Sequence, residues 1–293
     1  MQAFSKFHPL VLFAFFAAEF LFSMFLSNPL ISFLALCGGG GYCLLCNMHI
    51  NKRQNIWFYP VLFLLIVLSN PLISQNGVTT LFYWNGNAVT VESVLYGCGF
   101  ATLLISVLLW GRAYSITVSQ EQFLYLFGRP FPRLALLLST AMRYVPLLRR
   151  QAQVLRRTQK AMGFYVSSNR AKRLQSVLRV YAALIGWSIE HAVETARSMR
   201  ARGYGGARRT AYHTFRFTMR DAVALSAIFC ICLLILVAAA KGLLVFSYYP
   251  RIRFAVFTPF SYTIYFLFAV LSFFPMIVEM KEQIQWKHCR SKI

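Results

Sequence analysis

The sequence predicts an all-α integral membrane protein, with about six transmembrane helices and two long cytoplasmic helices. Three observations carry this reading. First, 58% of the 293 residues are hydrophobic and 16% aromatic, and the mean hydropathy is +0.56, far too apolar for a soluble domain of this length. Second, apolar runs able to cross roughly 30 Å of hydrocarbon lie at 9–27, 29–50, 56–74, 90–110, 222–243 and 257–278, grouped four plus two. Third, the gap between the fourth and fifth runs holds a strongly basic block with helical periodicity.

The chain opens with Lys6 and an apolar run that has no small-residue cleavage site, which predicts a retained first span in place of a removed signal peptide. Ser27-Asn28-Pro29 separates the first two runs. Proline suits a helix's first turn, where its missing N–H costs nothing, so these runs are expected to form a tight hairpin. Gly38, Gly39, Gly40 and Gly41 lack the following Lys-Ser/Thr of a phosphate loop, and inside a span they are expected to let helices pack closely. Cys43 and Cys46 followed by His49 have metal-like spacing, yet cysteine in an apolar span packs as a small hydrophobe, so no metal site is expected. The seven cysteines are odd in number and six lie in apolar runs, which is no disulfide framework. Glu19 falls inside the first run, where an acid is a functional candidate by default. Its plainer expectation is helix packing beside a polar neighbour. Glu92 falls near a membrane face.

Charge is concentrated. Residues 111–220 hold 20 of the 30 Lys and Arg against three acids, Glu121, Glu190 and Glu194, so this block carries most of the formal +22. A block so basic wants an anionic partner: lipid head groups, nucleic acid or an acidic protein surface. Lys6, Lys52, Arg53, the block itself, Lys281, Lys287, Arg290 and Lys292 all fall on one side of the membrane if the N-terminus is cytoplasmic. The opposite loops carry Arg251 and Arg253, and residues 75–89 carry no Lys or Arg. The positive-inside rule then places the block and both termini in the cytoplasm. The expected organisation is four transmembrane helices over 1–110, a basic cytoplasmic region over 111–220, and two further transmembrane helices with a cytoplasmic tail over 221–293.

Inside the block, Gly128-Arg129-Pro130-Phe131-Pro132 interrupts the chain ahead of two long helices. The first is expected over about 134–162, with an apolar stripe of Leu138, Met142, Val145, Leu148, Ala152 and Leu155. Arg143, Arg149, Arg150, Arg156, Arg157 and Lys160 take its other faces, and Pro146 is a candidate kink. The second is expected over about 169–202, roughly 50 Å long, with a start that Ser167, Ser168 or Asn169 can cap. Its stripe runs through Leu174, Val177, Leu178, Tyr181, Leu184, Ile185, Ser188, Ala192, Thr195 and Met199. Each helix stops at a glycine, after Ala161-Met162-Gly163 and again after Ala201-Arg202-Gly203. Glycine suits the left-handed residue after a helix, and basic side chains in a last turn favour the negative end of its dipole. Two such ends suit docking onto two similar partner subunits, because a guanidinium forks onto the carboxylates of an acidic groove. Catalysis finds little support. The histidines His8, His49, His191, His213 and His288 are scattered, and Glu190 and Glu194, one turn apart, are better explained by an intrahelical pair of Glu194 with Arg197.

The phrase Ser198-Met199-Arg200-Ala201-Arg202-Gly203-Tyr204 resembles the second signature of the transmembrane T component of energy-coupling factor (ECF) transporters. In that family a Ser-Met-x-Ala-Arg-Gly-Tyr type sequence ends the second of two long cytoplasmic coupling helices. The first coupling helix ends in a related Ala-Arg-Gly, matched in position here by Gln159-Lys160-Ala161-Met162-Gly163. This sequence departs from the pattern at Met162, where an arginine is expected, and Lys160, Arg157 and Arg156 lie just ahead of it. The motif-level resemblance covers residues 136–210, and the layout of spans around a basic block extends it loosely over the chain.

The resemblance implies a non-catalytic coupling subunit of an ABC-type importer in a prokaryotic inner membrane. It implies no cofactor on this chain: ATP and Mg belong to two cytoplasmic ATP-binding cassette subunits. A small membrane S component captures a vitamin or metal ion such as cobalt or nickel, and nucleic acid has no part. The implied ATPase-docking residues are Arg197, Arg200, Ala201, Arg202 and Gly203, with Lys160, Ala161, Met162 and Gly163. The implied packing residues, for the crossing of the coupling helices and the S component, are Leu138, Met142, Val145, Leu148 and Leu155 with Leu174, Leu178, Tyr181 and Ile185. An ordinary intramolecular core is the competing reading of those stripes. A membrane enzyme or binding protein that recognises anionic lipid phosphate is the alternative function, but the enzyme needs an acid or metal constellation that the acid-poor block does not supply. The permease half of an ordinary ABC importer would carry a short Glu-Ala-Ala type coupling loop, which this sequence lacks.

Overall fold

In hydrocarbon a backbone must satisfy its own N–H and C=O groups, and apolar runs of this length do so as helices. The computed structural model describes residues 4–46, 57–73, 78–84, 87–128, 130–163, 170–204, 215–249 and 258–290. His49, Lys52, Arg53, Arg129, Ser167, Ser168, Asn169, His213, Arg251, Arg253 and Lys292, on which parts of the sequence reading rest, lie outside these residues.

Among the described residues there are nine α-helices: α1 Pro9–Phe25, α2 Pro29–Cys46, α3 Phe58–Ile73, α4 Val91–Thr117, α5 Gln120–Gly128, α6 Pro132–Ala161, α7 Arg170–Ala201, α8 Met219–Ala240 and α9 Pro259–Arg290. Helices α2, α4, α8 and α9 are long and apolar enough to cross a membrane, and α1 and α3 are shorter apolar helices. One feature departs from the all-helical expectation. Strands β1 Thr80–Trp84 and β2 Asn87–Thr90 pair antiparallel, with Thr80 opposite Thr90 and Trp84 opposite Asn87. Their Thr, Phe, Tyr, Trp and Val residues favour extended backbone. Helix α4 runs on to Thr117 and α9 to Arg290, past the ends expected at 110 and 278. Hydropathy marks where the apolar run stops, whereas Arg, Glu, Lys and Gln continue a helix readily.

The chain divides into two units, one of Met1–Phe123 with Phe215–Ile293 and one of Leu124–Thr214. In the first unit α2 packs against both α4 and α9, α3 against α4, and α8 against α1 and α9. Phe4, Phe15, Phe16, Tyr42 and Trp110 are fully buried, and Phe15 meets Trp110 edge to face with ring centres 5.6 Å apart. Their polar atoms are satisfied: Trp110 Nε1 donates to the Ala35 carbonyl at 3.0 Å, and the Tyr42 hydroxyl lies 2.8 Å from Thr117 Oγ1. The glycine run allows the close packing expected of it. A Cβ at Gly38 would sit 2.7 Å from the Ser272 carbonyl oxygen on α9, and one at Gly39 would sit 3.2 Å from Trp110 Nε1 on α4.

Polar contacts tie the helix ends of this unit together. Pro29 opens α2 directly after the turn, and Asn28 Nδ2 donates to the Tyr265 hydroxyl of α9 at 2.8 Å. The Asp221 carboxylate in the first turn of α8 accepts from its own Thr218 N–H at 2.9 Å and from the His8 N–H ahead of α1 at 3.0 Å. Glu19 is fully buried and has the polar neighbour the sequence calls for, since Ser272 Oγ donates to its Oε1 at 2.9 Å.

In the second unit α6 and α7 pack on one another, and α6 continues as one helix through Pro146. The glycine contact in the first unit yields a direct test. Gly38→Ala forces a methyl onto backbone and should cost about 1–3 kcal/mol, read as a lowered melting temperature of the detergent-solubilised protein. Gly40→Ala, whose added methyl finds its nearest neighbour at 3.8 Å, should leave that temperature unchanged or raised.

Candidate functional site

Both long helices of the second unit end in the same backbone turn. At the end of α6 the Met162 N–H donates to the Thr158 carbonyl and the Gly163 N–H to the Lys160 carbonyl, each at 3.0 Å, and Gly163 adopts φ 78°. At the end of α7 the matching bonds run from the Arg202 N–H to the Ser198 carbonyl at 3.2 Å and from the Gly203 N–H to the Arg200 carbonyl at 2.9 Å, with Gly203 at φ 76°, and the Tyr204 N–H donates to the Met199 carbonyl at 3.0 Å. This pair of bonds satisfies carbonyls that a helix end otherwise leaves open, and it requires a left-handed residue that glycine supplies without strain.

The structure places every sequence-derived docking residue on the surface. Lys160, Ala161, Met162 and Gly163 are exposed at the end of α6, as are Arg197, Arg200, Ala201, Arg202 and Gly203 at the end of α7. The salt bridges among the described residues are Lys6 with Glu282 and His191 with Glu194. The expected pair of Glu194 with Arg197 is therefore not formed. Glu194 Oε2 turns back along α7 to lie 3.7 Å from His191 Nδ1, which leaves Arg197, Arg200 and Arg202 without a described carboxylate.

On α7 the single stripe splits into two rows. Leu174, Leu178, Tyr181 and Ile185 are exposed, and Ile189, absent from the sequence-derived set, continues their row at 61% exposure. Val177, Leu184, Thr195 and Met199 are half-buried, and Val180 is buried. At 100° per residue the second row lies about a quarter-turn round the helix from the first. On α6, Met142 and Val145 are exposed, whereas Leu138, Leu148 and Leu155 are half-buried. An intramolecular core does not account for the exposed row of α7.

Polar contacts join the two helices beside the half-buried row. The Tyr144 hydroxyl of α6 donates to Thr195 Oγ1 of α7 at 2.8 Å, and Thr195 in turn donates to the His191 carbonyl at 2.8 Å. The Tyr144 ring meets His191 edge to face at 5.7 Å, and Trp187 stacks on His191 at 5.0 Å. A polar cleft of about 300 Å³ opens there, lined by Thr140, Arg143 and Tyr144 of α6 and by Glu194, Ser198 and Arg202 of α7 among others. Sequence reasoning misses Tyr144. The signal that finds it is a ladder of polar residues at helical spacing, Thr140 and Tyr144 on one helix and His191, Thr195 and Ser198 on the other. Among the described residues no three His, Cys, Asp or Glu side chains form a group able to hold a metal ion, and Cys43 Sγ instead donates to the Leu109 carbonyl at 3.4 Å.

A family model described as CbiQ, cobalt transport protein, matches residues 5–213, a stretch that includes both glycine-closed helix ends. The chain belongs to the CbiQ family. It is similar to the energy-coupling factor transporter transmembrane protein EcfT of Staphylococcus aureus, 26% identical over 213 residues that cover 67% of this chain and 79% of the relative. The EcfT protein of Brevibacillus brevis is 26% identical over 217 residues, covering 68% and 80%. That of Bacillus selenitireducens is 34% identical over 116 residues, covering 38% and 43%. Membership makes the chain a transmembrane component of an ECF transporter, a multi-pass membrane subunit that is not itself an enzyme.

The shared turn gives a local prediction within this family fold. Gly203→Ala places a Cβ at positive φ and should cost about 1–2 kcal/mol at the end of α7, seen as faster hydrogen exchange at the amides of Gly203 and Tyr204. Met162→Ala, at an ordinary φ of −77°, should leave exchange at the end of α6 unchanged.

Proposed function

We propose that this chain couples ATP hydrolysis on two cytoplasmic ATP-binding cassette subunits to a small membrane S component that captures a vitamin or metal ion. The chain lies in a prokaryotic inner membrane with about six spans and both termini cytoplasmic, which the distribution of Lys and Arg supports. It holds no cofactor of its own, and ATP and Mg sit on the partner subunits. The ends of α6 and α7 dock into grooves on the two cassettes, through residues 160–163 on one helix and through Arg197, Arg200, Ala201, Arg202 and Gly203 on the other. Closure of the cassettes on ATP moves the two ends, and the long helices carry that motion to the S component. The exposed row of Leu174, Leu178, Tyr181 and Ile185, with Met142 and Val145 of α6, packs against it, and half-buried Leu138, Leu148 and Leu155 support the helix pair.

The observation that carries this reading is the pair of exposed helix ends, each with a left-handed glycine, one of them bearing an arginine that pairs with no described carboxylate. Such an end is costly to leave uncompensated in an interface and strong when an acidic groove receives it. Arg202→Glu should abolish co-purification of the two cassette subunits with the chain, a loss of about 3–5 kcal/mol for a reversed buried charge contact. A complex that survives this reversal with unchanged affinity and ATPase coupling overturns the assignment.

A further inference from the structure

Arg202 is not the only guanidinium at its cleft. Arg143, in the middle of α6, lines the same 300 Å³ space. Both side chains are exposed, and neither pairs with a described carboxylate. The reason they share a cleft lies one residue away. Tyr144 follows Arg143 and donates to Thr195, and Thr195 precedes Arg202 by two helical turns on the same side of α7. The hydroxyl bond therefore sets α6 against α7 in the register that brings the two arginines to one opening.

We propose that Arg143 is a second docking residue, and that with Arg202 it forms a two-guanidinium receptor for one acidic side chain of an ATP-binding cassette subunit. The proposal rests on the coupling function above. Each guanidinium presents a fork of N–H donors and no acceptor, and a carboxylate offers two oxygens with about four lone-pair sites, so two forks can share one carboxylate. The charge count favours this ligand. The cleft holds two arginines against Glu194, and this excess of one positive charge is matched by a single carboxylate, not by a dianionic phosphate. Glu194 itself lies 3.7 Å from His191 Nδ1 and pairs with neither arginine. Ser198, on the same wall, adds a hydroxyl donor. The arrangement also bears on Met162: the end of α6 lacks the arginine of the family pattern, and α6 contributes its guanidinium from Arg143 to the other docking point instead.

The test uses the full-length chain in lipid nanodiscs and the two cassette subunits expressed with it, with affinity measured over a salt series. Arg143→Gln should weaken binding at least tenfold, and Arg143→Lys should fall between, because a lysine keeps the charge and loses the fork. The loss in the double variant Arg143→Gln, Arg202→Gln should differ from the sum of the two single losses, since one carboxylate serves both. Tyr144→Phe, with both arginines intact, should reproduce part of the loss while helix content by circular dichroism stays unchanged. Losses that simply add, or an Arg143→Gln variant that binds normally while Arg202→Glu does not, overturn the two-arginine receptor and leave the coupling function standing. Binding indifferent to Arg202→Glu as well removes the coupling function itself. The effect of Arg143→Gln should be equal in phosphatidylcholine and phosphatidylglycerol discs; an effect confined to the anionic lipid assigns the cleft to lipid phosphate and overturns the proposal.

Discussion

The hydroxyl bond from Tyr144 to Thr195 sets which residues of α6 face which residues of α7, and the second unit depends on that register. A neutral hydrogen bond adds only about 0.5–1.5 kcal/mol net. Its consequence is geometric, because one residue of slip turns a helix by about 100° and would exchange the buried row for another. With the bond in place, Val177, Val180 and Leu184 lie on the covered side and Leu174, Leu178, Tyr181 and Ile185 on the open one. The same register keeps His191 between Tyr144 and Trp187, where Glu194 Oε2 lies 3.7 Å from its Nδ1.

The first unit obeys the opposite economy. There the helices approach until backbone meets backbone, at Gly38 against Ser272, and buried polar atoms pair with one another: Glu19 Oε1 with Ser272, Trp110 with Ala35, Tyr42 with Thr117. In lipid, apolar surface gives no drive to associate, so small residues and satisfied polar groups do the holding. The long helices of the second unit have polar sequences with exposed apolar rows and exposed arginines, a surface that suits partners better than lipid.

Much of this was legible in the sequence, for reasons that differ by element. The apolar runs at 9–27 and 29–50 became α1 and α2 because Ser27-Asn28-Pro29 combines a turn with a helix-starting proline. The ends of α6 and α7 were legible to within a residue because Gly163 and Gly203 are the positions where a left-handed turn is cheap. The β1–β2 hairpin was not, since a short strand pair leaves no hydropathy signature between spans. Nor was the splitting of the α7 stripe. Spacing of three and four admits a wide apolar arc, and only a partner helix decides which edge of that arc is covered. The Glu194–Arg197 expectation failed for the same reason: His191 and Arg197 are both three residues from Glu194, and the aromatic stack on His191, invisible in one dimension, tips the choice.

On the proposed coupling scheme, the position of the Tyr144 contact along α7 has a mechanical meaning. Thr195 stands about 10 Å along the axis from Arg202 and about 30 Å from Leu174, at 1.5 Å per residue. A straight helix held near Thr195 is then a lever with a short docking arm and a long arm bearing the exposed row. A displacement at Arg202 reappears about threefold larger at Leu174 by this geometry alone. A continuous helix transmits that motion because bending it breaks consecutive backbone hydrogen bonds, and α7 has no internal proline to relieve the bend. Helix α6 does, at Pro146, two residues past its contact with Thr195. The two coupling helices are thus unequal in stiffness as well as in their terminal chemistry, with the stiffer one carrying Arg202 and the more compliant one ending at Met162.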